Sequence, residues 1–219
     1  MTAATPVSVP LGAIQLAPGS AIAIEDISWE QYERILAERG MGSLPRIAYF
    51  EGTVELVAPL PAHERPNRFL SDLVKALLDS QERDWEDFGS TTLRRAIKQA
   101  GLEPDSCFYL DANAEQVRSC WMEMDLGIYP PPDLAIESDL TSRTALDAYK
   151  AIAVPELWIY RDRQLSLYRL RDNGYTLSET SAVFPDMAIV KNLSHWVERG
   201  MTEGASRVLR EFRQVLERE

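Results

Sequence analysis

Cysteine is nearly absent from this chain, with Cys107 and Cys120 alone among 219 residues. Two thiols cannot supply a disulfide framework or a cysteine-rich zinc site. Histidine is as scarce, at His63 and His195, and there are four lysines, Lys75, Lys98, Lys150 and Lys191. Charge is missing from residues 1–24: the first carboxylate is Glu25 and the first cation is Arg34. A secretory signal needs a basic start and an unbroken apolar stretch, whereas Pro6, Pro10 and Pro18 interrupt every apolar run here. No segment approaches the roughly 18 apolar residues of a membrane span. The expectation is a cytoplasmic protein without membrane contact, its residues 1–24 forming an arm or edge segment. Phosphate-cradling loops are absent as well: neither GxGxxG nor GxxxxGK[ST] occurs, and there is no GxSxG. Dinucleotide enzymes, P-loop NTPases and α/β-hydrolases are therefore disfavoured. No internal repeat and no low-complexity tract is found.

What is present is an ordinary globular composition, 45% hydrophobic and 26% charged, long enough for one large α/β domain or one domain with additions. The net charge of −11 argues against non-specific coating of nucleic acid, which needs a cationic surface. It leaves room for a local basic groove or a metal-bridged phosphate.

The pattern predicts a helix from Ser28, whose pairing with Gln31 fits a capping box, ending at Gly40. RIAYFEGTVELVAP, residues 46–59, reads as a hairpin turning at Glu51-Gly52. Residues 60–66, broken by Pro61 and Pro66, read as loop. Phe69, Leu70, Leu73, Val74, Leu77 and Leu78 give a helix over 67–83. Strands are expected at 89–95, 106–110 and 132–138, with Gly101 as a turn and 111–128 as a loop holding one short element. A short helix spans 142–151. A meander over 156–180 turns at 161–164 and at Asn173-Gly174. Helix follows from 193, with an apolar stripe of Val208, Leu209, Phe212, Val215 and Leu216. The order predicts an α/β domain with a mixed central sheet.

Carboxylates concentrate in one stretch. Residues 101–140 carry nine acids against a single cation, Arg118, a local net of −8. Asp133, Glu137 and Asp139 share one face of a strand. Such oxygen-rich rows suit Mg²⁺ or Mn²⁺, held by one or two carboxylates plus substrate phosphate; a solvated acidic strand face is the plainer alternative.

GTVELVAPLPAHE, GSTTLRR, GLEPDSCFYL, PPDLAIE and YKAIAVPELWIY, in this order, resemble the Uma-two family, a domain family of unknown function grouped with restriction endonucleases. The resemblance runs from about residue 26 to 190. It implies a restriction-endonuclease-like fold: a mixed central sheet flanked by helices, here with an additional N-terminal hairpin or arm and a C-terminal helix. The implied boundaries are 1–24 for the arm, 25–192 for the domain and 193–219 for the helical extension. It also implies a loose PD…(D/E)xK pattern, in which an Asp and a Glu on adjacent strands bind a divalent metal and a Lys orients or activates water.

Carried onto this chain, the Pro-Asp is Pro104-Asp105 or Pro132-Asp133, and the second acid is Glu137. Asp133 and Glu137 share one strand, about 13 Å of rise apart. Asp105 with Glu137 is thus the favoured metal pair, with Asp133 a helper or strand-start residue. The pattern's lysine is missing. Asp139 stands two residues after Glu137, and Ala145 holds the position on the next helix where relatives carry Lys; Lys150, the nearest in sequence and the catalytic candidate, or Arg143 takes its place, or the site lacks the group. His63 fits a proton relay or phosphate contact, or a helix N-terminal residue satisfying backbone groups. Glu55 suits a site or a strand edge. Arg94, Arg95 and Lys98 suit phosphate contacts or a solvated strand end. His195, Trp158 and Cys107 read as structural.

The implied activity is Mg²⁺- or Mn²⁺-dependent hydrolysis of DNA phosphodiester bonds. The alternative is a catalytically impaired binding or assembly module that keeps the fold. A homodimer is expected, with either terminal segment in or beside the interface, since duplex DNA offers two strands to a two-fold protein.

Overall fold

The computed structural model describes residues 9–40, 42, 44–120, 124–138, 140, 142–185 and 189–218. In chain order its elements are β1 (Ala21–Ile24), α1 (Trp29–Arg39), β2 (Arg46–Phe50), β3 (Thr53–Val57), α2 (Pro61–Ser80), β4 (Trp85–Asp87), β5 (Leu93–Arg95), β6 (Ala100–Leu102), β7 (Ser106–Leu110) and α3 (Ala112–Val117). There follow β8 (Met124–Asp125), β9 (Leu134–Ser138), α4 (Arg143–Ile152), β10 (Glu156–Arg161), β11 (Gln164–Arg171), β12 (Gly174–Leu177), α5 (Ile189–Arg199) and α6 (Ala205–Leu216).

The strands form two mixed six-stranded sheets rather than the one sheet that the sequence pattern suggests. The first runs β1-β3-β2-β6-β5-β8 and the second β12-β11-β10-β9-β7-β4. In the second, β9 and β10 are parallel, joined through α4, and β7 runs antiparallel to β9 with Ser106 opposite Ile136. The fold is mixed α/β, with flanking helices and a C-terminal helix.

Local chemistry explains most elements. Ser28 Oγ accepts from the Gln31 N–H while Gln31 Oε1 accepts from the Ser28 N–H, closing the capping box on α1. Glu51 and Gly52 both take positive φ, as a two-residue hairpin turn requires. Residues 61–66, expected as loop, are instead the first turns of α2. Pro61 is the first helical residue, where the backbone N–H has no helical partner. Pro66 forfeits one bond inside a helix whose apolar face is otherwise buried.

Gly101 lies in β6, not in a turn. Its φ is not positive; it is small because a Cβ there would sit 2.2 Å from the Tyr32 hydroxyl oxygen, where α1 packs on the sheet. Tyr32 is fully buried and stacked on Tyr49 at 4.7 Å, so it has no room to yield. Gly101→Ala is expected to cost about 1–3 kcal/mol through overpacking, read as a lower midpoint in urea denaturation with the slope unchanged.

Each face of the second sheet carries its own core. Phe108, Leu134, Ile136 and Trp158 pack with α2, α5 and α6; Cys107, Tyr109, Ala135 and Leu157 face α4 and the first sheet. Helix α2 packs on β7 and β9 as expected, but β5 belongs to the other sheet. The C-terminal stripe is covered by the chain's own core: Val208 and Phe212 are buried in it and Leu209 and Leu216 pack on it. The terminal helix therefore packs on its own domain, with Val215 of the stripe left exposed. The expected boundary at 192/193 falls inside α5, and residues 21–24 of the expected arm are an edge strand paired with β3. No helix among the described residues is long and apolar enough to cross a membrane.

Candidate active site

In the β7–β9 register, residue numbers across the ladder sum to a constant, so extending it by one residue sets Asp105 opposite Glu137. Opposed residues of an antiparallel pair project to the same face, with Cβ atoms about 5 Å apart. Both side chains line one cavity of about 170 Å³, together with His63, Glu64 and Asn67 from the start of α2, Arg46 and Glu55 from the first sheet, and Ser138. The cavity lies where the two sheets and the first turns of α2 meet.

Asp105 is held from two sides. One carboxylate oxygen is paired with the Arg46 guanidinium, and the other accepts the Ser138 N–H at 2.6 Å. Arg46 also approaches Glu64 at 3.5 Å, and its side chain is 15% exposed. Glu137 is buried, and its Oε1 accepts the Tyr149 hydroxyl of α4 at 2.5 Å. Burial pushes the Glu137 carboxyl up to about 7; the Tyr149 hydroxyl and the charge of Arg46 pull it down in part. Burial raises the Tyr149 phenol as well, so at neutral pH it is a proton donor to Glu137. Glu55 accepts a hydrogen bond from Ser142, whose oxygen also caps α4 by accepting the Ala145 N–H.

Asp133 and Lys150 are not part of this cavity. Asp133 shares the face of Glu137 but stands at the far end of the strand, where it accepts the Leu110 N–H and the Asn113 amide, both at 2.8 Å. It pins the end of β7 to α3. Burial raises its pKa and these two hydrogen bonds lower it in part. Lys150 follows Tyr149 on α4, and the 100° helical step that turns Tyr149 toward Glu137 turns Lys150 away. Its Nζ approaches the Asn173 carbonyl at 3.5 Å, in the β11–β12 turn. Arg143 is exposed and approaches Asp147. Arg94 pairs with Glu33 and Arg95 donates to the Ile152 carbonyl, so these two tie α1 and α4 to the first sheet. Asp139 lies outside the described residues.

The cation at the carboxylates is Arg46, which sequence reasoning missed. It lies 59 residues before Asp105 and in another sheet, so no spacing rule reaches it. No group of three or more His, Cys, Asp or Glu residues placed to share a metal ion occurs among the described residues. The oxygen chemistry of the wall nevertheless suits a hard divalent ion, which needs one or two protein carboxylates with water and substrate completing its shell. Besides Asp105 and Glu137, the wall contains the buried oxygens Asn67 Oδ1 and Ser138 Oγ, which have no hydrogen-bond partner. Buried oxygens are rarely left so.

A family model described as "Putative restriction endonuclease", Uma2, matches residues 29–201, most of the chain. The chain belongs to the Uma2 family. Among solved structures, the Uma2 chain is similar to a "putative nuclease belonging to DUF820" from Anabaena variabilis ATCC 29413. That likeness covers 78% of this chain and 99% of the other, at 15% identity and a TM-score of 0.50. It supports the fold alone. A search of curated proteins finds no match. Within the Uma2 match lie Arg46, Glu55, His63, Asp105 and Glu137 of the cavity wall and the Pro155-Glu156 step; Gly19 and Ala21 of the wall precede it. The latter is structural: Glu156 is fully buried and binds the 181–183 segment.

Proposed function

We propose that this Uma2 protein is a divalent-metal-dependent endonuclease that hydrolyses DNA phosphodiester bonds in the cavity between β7, β9 and α2. One observation carries the reading: Asp105, one residue before β7, and Glu137 on the neighbouring β9 line one cavity wall, with a guanidinium at the pair. Asp105 and Glu137, with Asn67 Oδ1 and Ser138 Oγ beside them, would hold Mg²⁺ or Mn²⁺. When bound, such an ion lowers the pKa of water and offsets charge on the scissile phosphate.

The chain's own groups do the rest. Ionised Glu137 is the form that binds a cation, and the Tyr149 hydroxyl holds its Oε1 in one orientation. Arg46 supplies the positive charge that the absent lysine would have provided. A guanidinium matches phosphate oxygens in a fork and stays charged at any working pH, so it stabilises the phosphate but cannot act as a base. His63 also lines the cavity and is assigned the proton relay.

The test is a nuclease assay on plasmid DNA with Mg²⁺ or Mn²⁺, comparing the parent with Glu137→Ala. Cleavage by the parent, abolished by chelation and reduced about a hundredfold or more in the variant, is expected. Equal cleavage by both proteins, or none by the parent with either ion, sinks the proposal.

A further inference from the structure

A second, larger hollow of about 730 Å³ adjoins the first, and His63 and Ser138 line both. Its walls are the first turns of α2, the β10–β11 turn and the end of α5. In a chain of net charge −11, three arginines converge there, Arg65 from α2 and Arg161 and Arg163 from the hairpin turn, against Asp162 and Glu198. We propose that this groove binds the phosphodiester backbone of the DNA strand whose scissile phosphate enters the neighbouring cavity, with Arg65, Arg161 and Arg163 as its phosphate contacts.

Charge pairs in the groove are exposed to water. Arg163 approaches Glu198 at 3.4 Å and Arg161 approaches Asp162 at 3.5 Å, with every side chain more than half exposed. The exposed Arg163–Glu198 pair contributes little in water, so a phosphate oxygen can replace the Glu198 carboxylate at small cost. Arg65 is exposed and has no ion-pair partner among the described residues.

The turn itself points the same way. Asp162 and Arg163 both hold positive φ, 51° and 63°. At such positions an L side chain costs about 1 kcal/mol or more and glycine costs little. At the next turn of the same sheet the positive φ, 121°, falls on Gly174, the first residue of β12. Folding gains from arginine at 163 only the exposed pair with Glu198, whereas a backbone-binding groove gains a cation at its rim.

The proposal rests on the nuclease reading for the identity of its ligand, and the two are separable by experiment. The probe is a short fluorescein-labelled DNA duplex, titrated with the full chain in EDTA so that binding is read by anisotropy without turnover. The double variant Arg65→Ala/Arg163→Gly is expected to bind about tenfold more weakly at moderate salt, with a shallower dependence of log affinity on log salt, because two phosphate contacts are lost. Its melting temperature should equal or exceed the parent's, since Arg163→Gly relieves the positive φ; a purely structural role for these arginines predicts a loss instead. Unchanged affinity and salt slope in the double variant, or no binding by the parent, overturn the groove. Groove-dependent binding without cleavage by the parent leaves the groove standing and removes the nuclease reading. Cleavage with an unchanged KM in the variant does the reverse.

Discussion

Glu137→Gln is expected to abolish cleavage and at the same time to raise the melting temperature above neutral pH. Burial lifts this carboxyl from an ordinary 4.5 to about 7. Between those values the folded chain holds a proton that the unfolded chain has released. Stability therefore falls as pH rises through the window, by about 1.4 kcal/mol per pH unit and about 3 kcal/mol in all. Below it both states are protonated and nothing is lost. Glutamine accepts the same Tyr149 hydroxyl without ever ionising. In EDTA, parent and variant should melt alike near pH 4 and diverge up to about pH 8, where each kcal/mol is worth roughly 2–4 °C in a domain of this size. Adding Mg²⁺ should narrow the gap, because an ion bound to the carboxylate rewards its charged form. Melting curves whose difference does not change with pH would show that Glu137 does not carry this cost.

The largest purely structural loss is expected from Glu156→Ala. Glu156 is fully buried at the start of β10 and takes four donors: Trp158 Nε1 at 2.7 Å, Ser181 Oγ at 2.6 Å, the Ala182 N–H at 2.6 Å and the Val183 N–H at 3.3 Å. Ser181 Oγ accepts in turn from the Phe184 N–H, and Phe184 packs near Trp158 at 6.1 Å. Alanine strands these donors at the edge of the main core. Each unsatisfied buried donor costs about 1–3 kcal/mol, and partial access of water to the opened site leaves an expected loss of about 3–5 kcal/mol. Denaturant titration should show it as a lower midpoint. Glu156 does not line the cavity of Asp105 and Glu137, so cleavage per folded molecule, measured well below the melting temperature, should stay at the parental value. An unfolding free energy within about 0.5 kcal/mol of the parent's, the scatter of surface substitutions, would contradict this network's role.

Much of the architecture was legible because its causes are local. The Ser28–Gln31 box, the Glu51-Gly52 and Asn173-Gly174 turns and the apolar period of α2 each depend on neighbours within a few residues, and each forms where the pattern places it. The carboxylate pair was legible for a related reason: Asp105 and Glu137 abut short apolar strands that become neighbours in one sheet. Where local rules failed, a distant group had outweighed them. Gly101 reads as a turn, yet it is a strand residue cleared for Tyr32. Pro61 and Pro66 read as loop, yet the buried face of α2 carries the helix through them, and with it His63 and Glu64 reach the cavity.

The amino-acid order by itself determined the mixed α/β class, the acidic 101–140 stretch and which carboxylates of one strand share a face, since side-chain parity follows from the strand period; the Asp105–Glu137 pairing came from the family resemblance. Tertiary structure alone decided the rest: two sheets instead of one, Asp133 tied to Asn113 rather than to a metal site, and Arg46 rather than Lys150 as the cation at Asp105. It also decided that Glu137 is buried enough to titrate near neutrality. Which charges meet, and how dry their meeting place is, depends on packing between segments far apart in the chain. Coulomb energy and desolvation are functions of distance in space, and no spacing along the sequence encodes them.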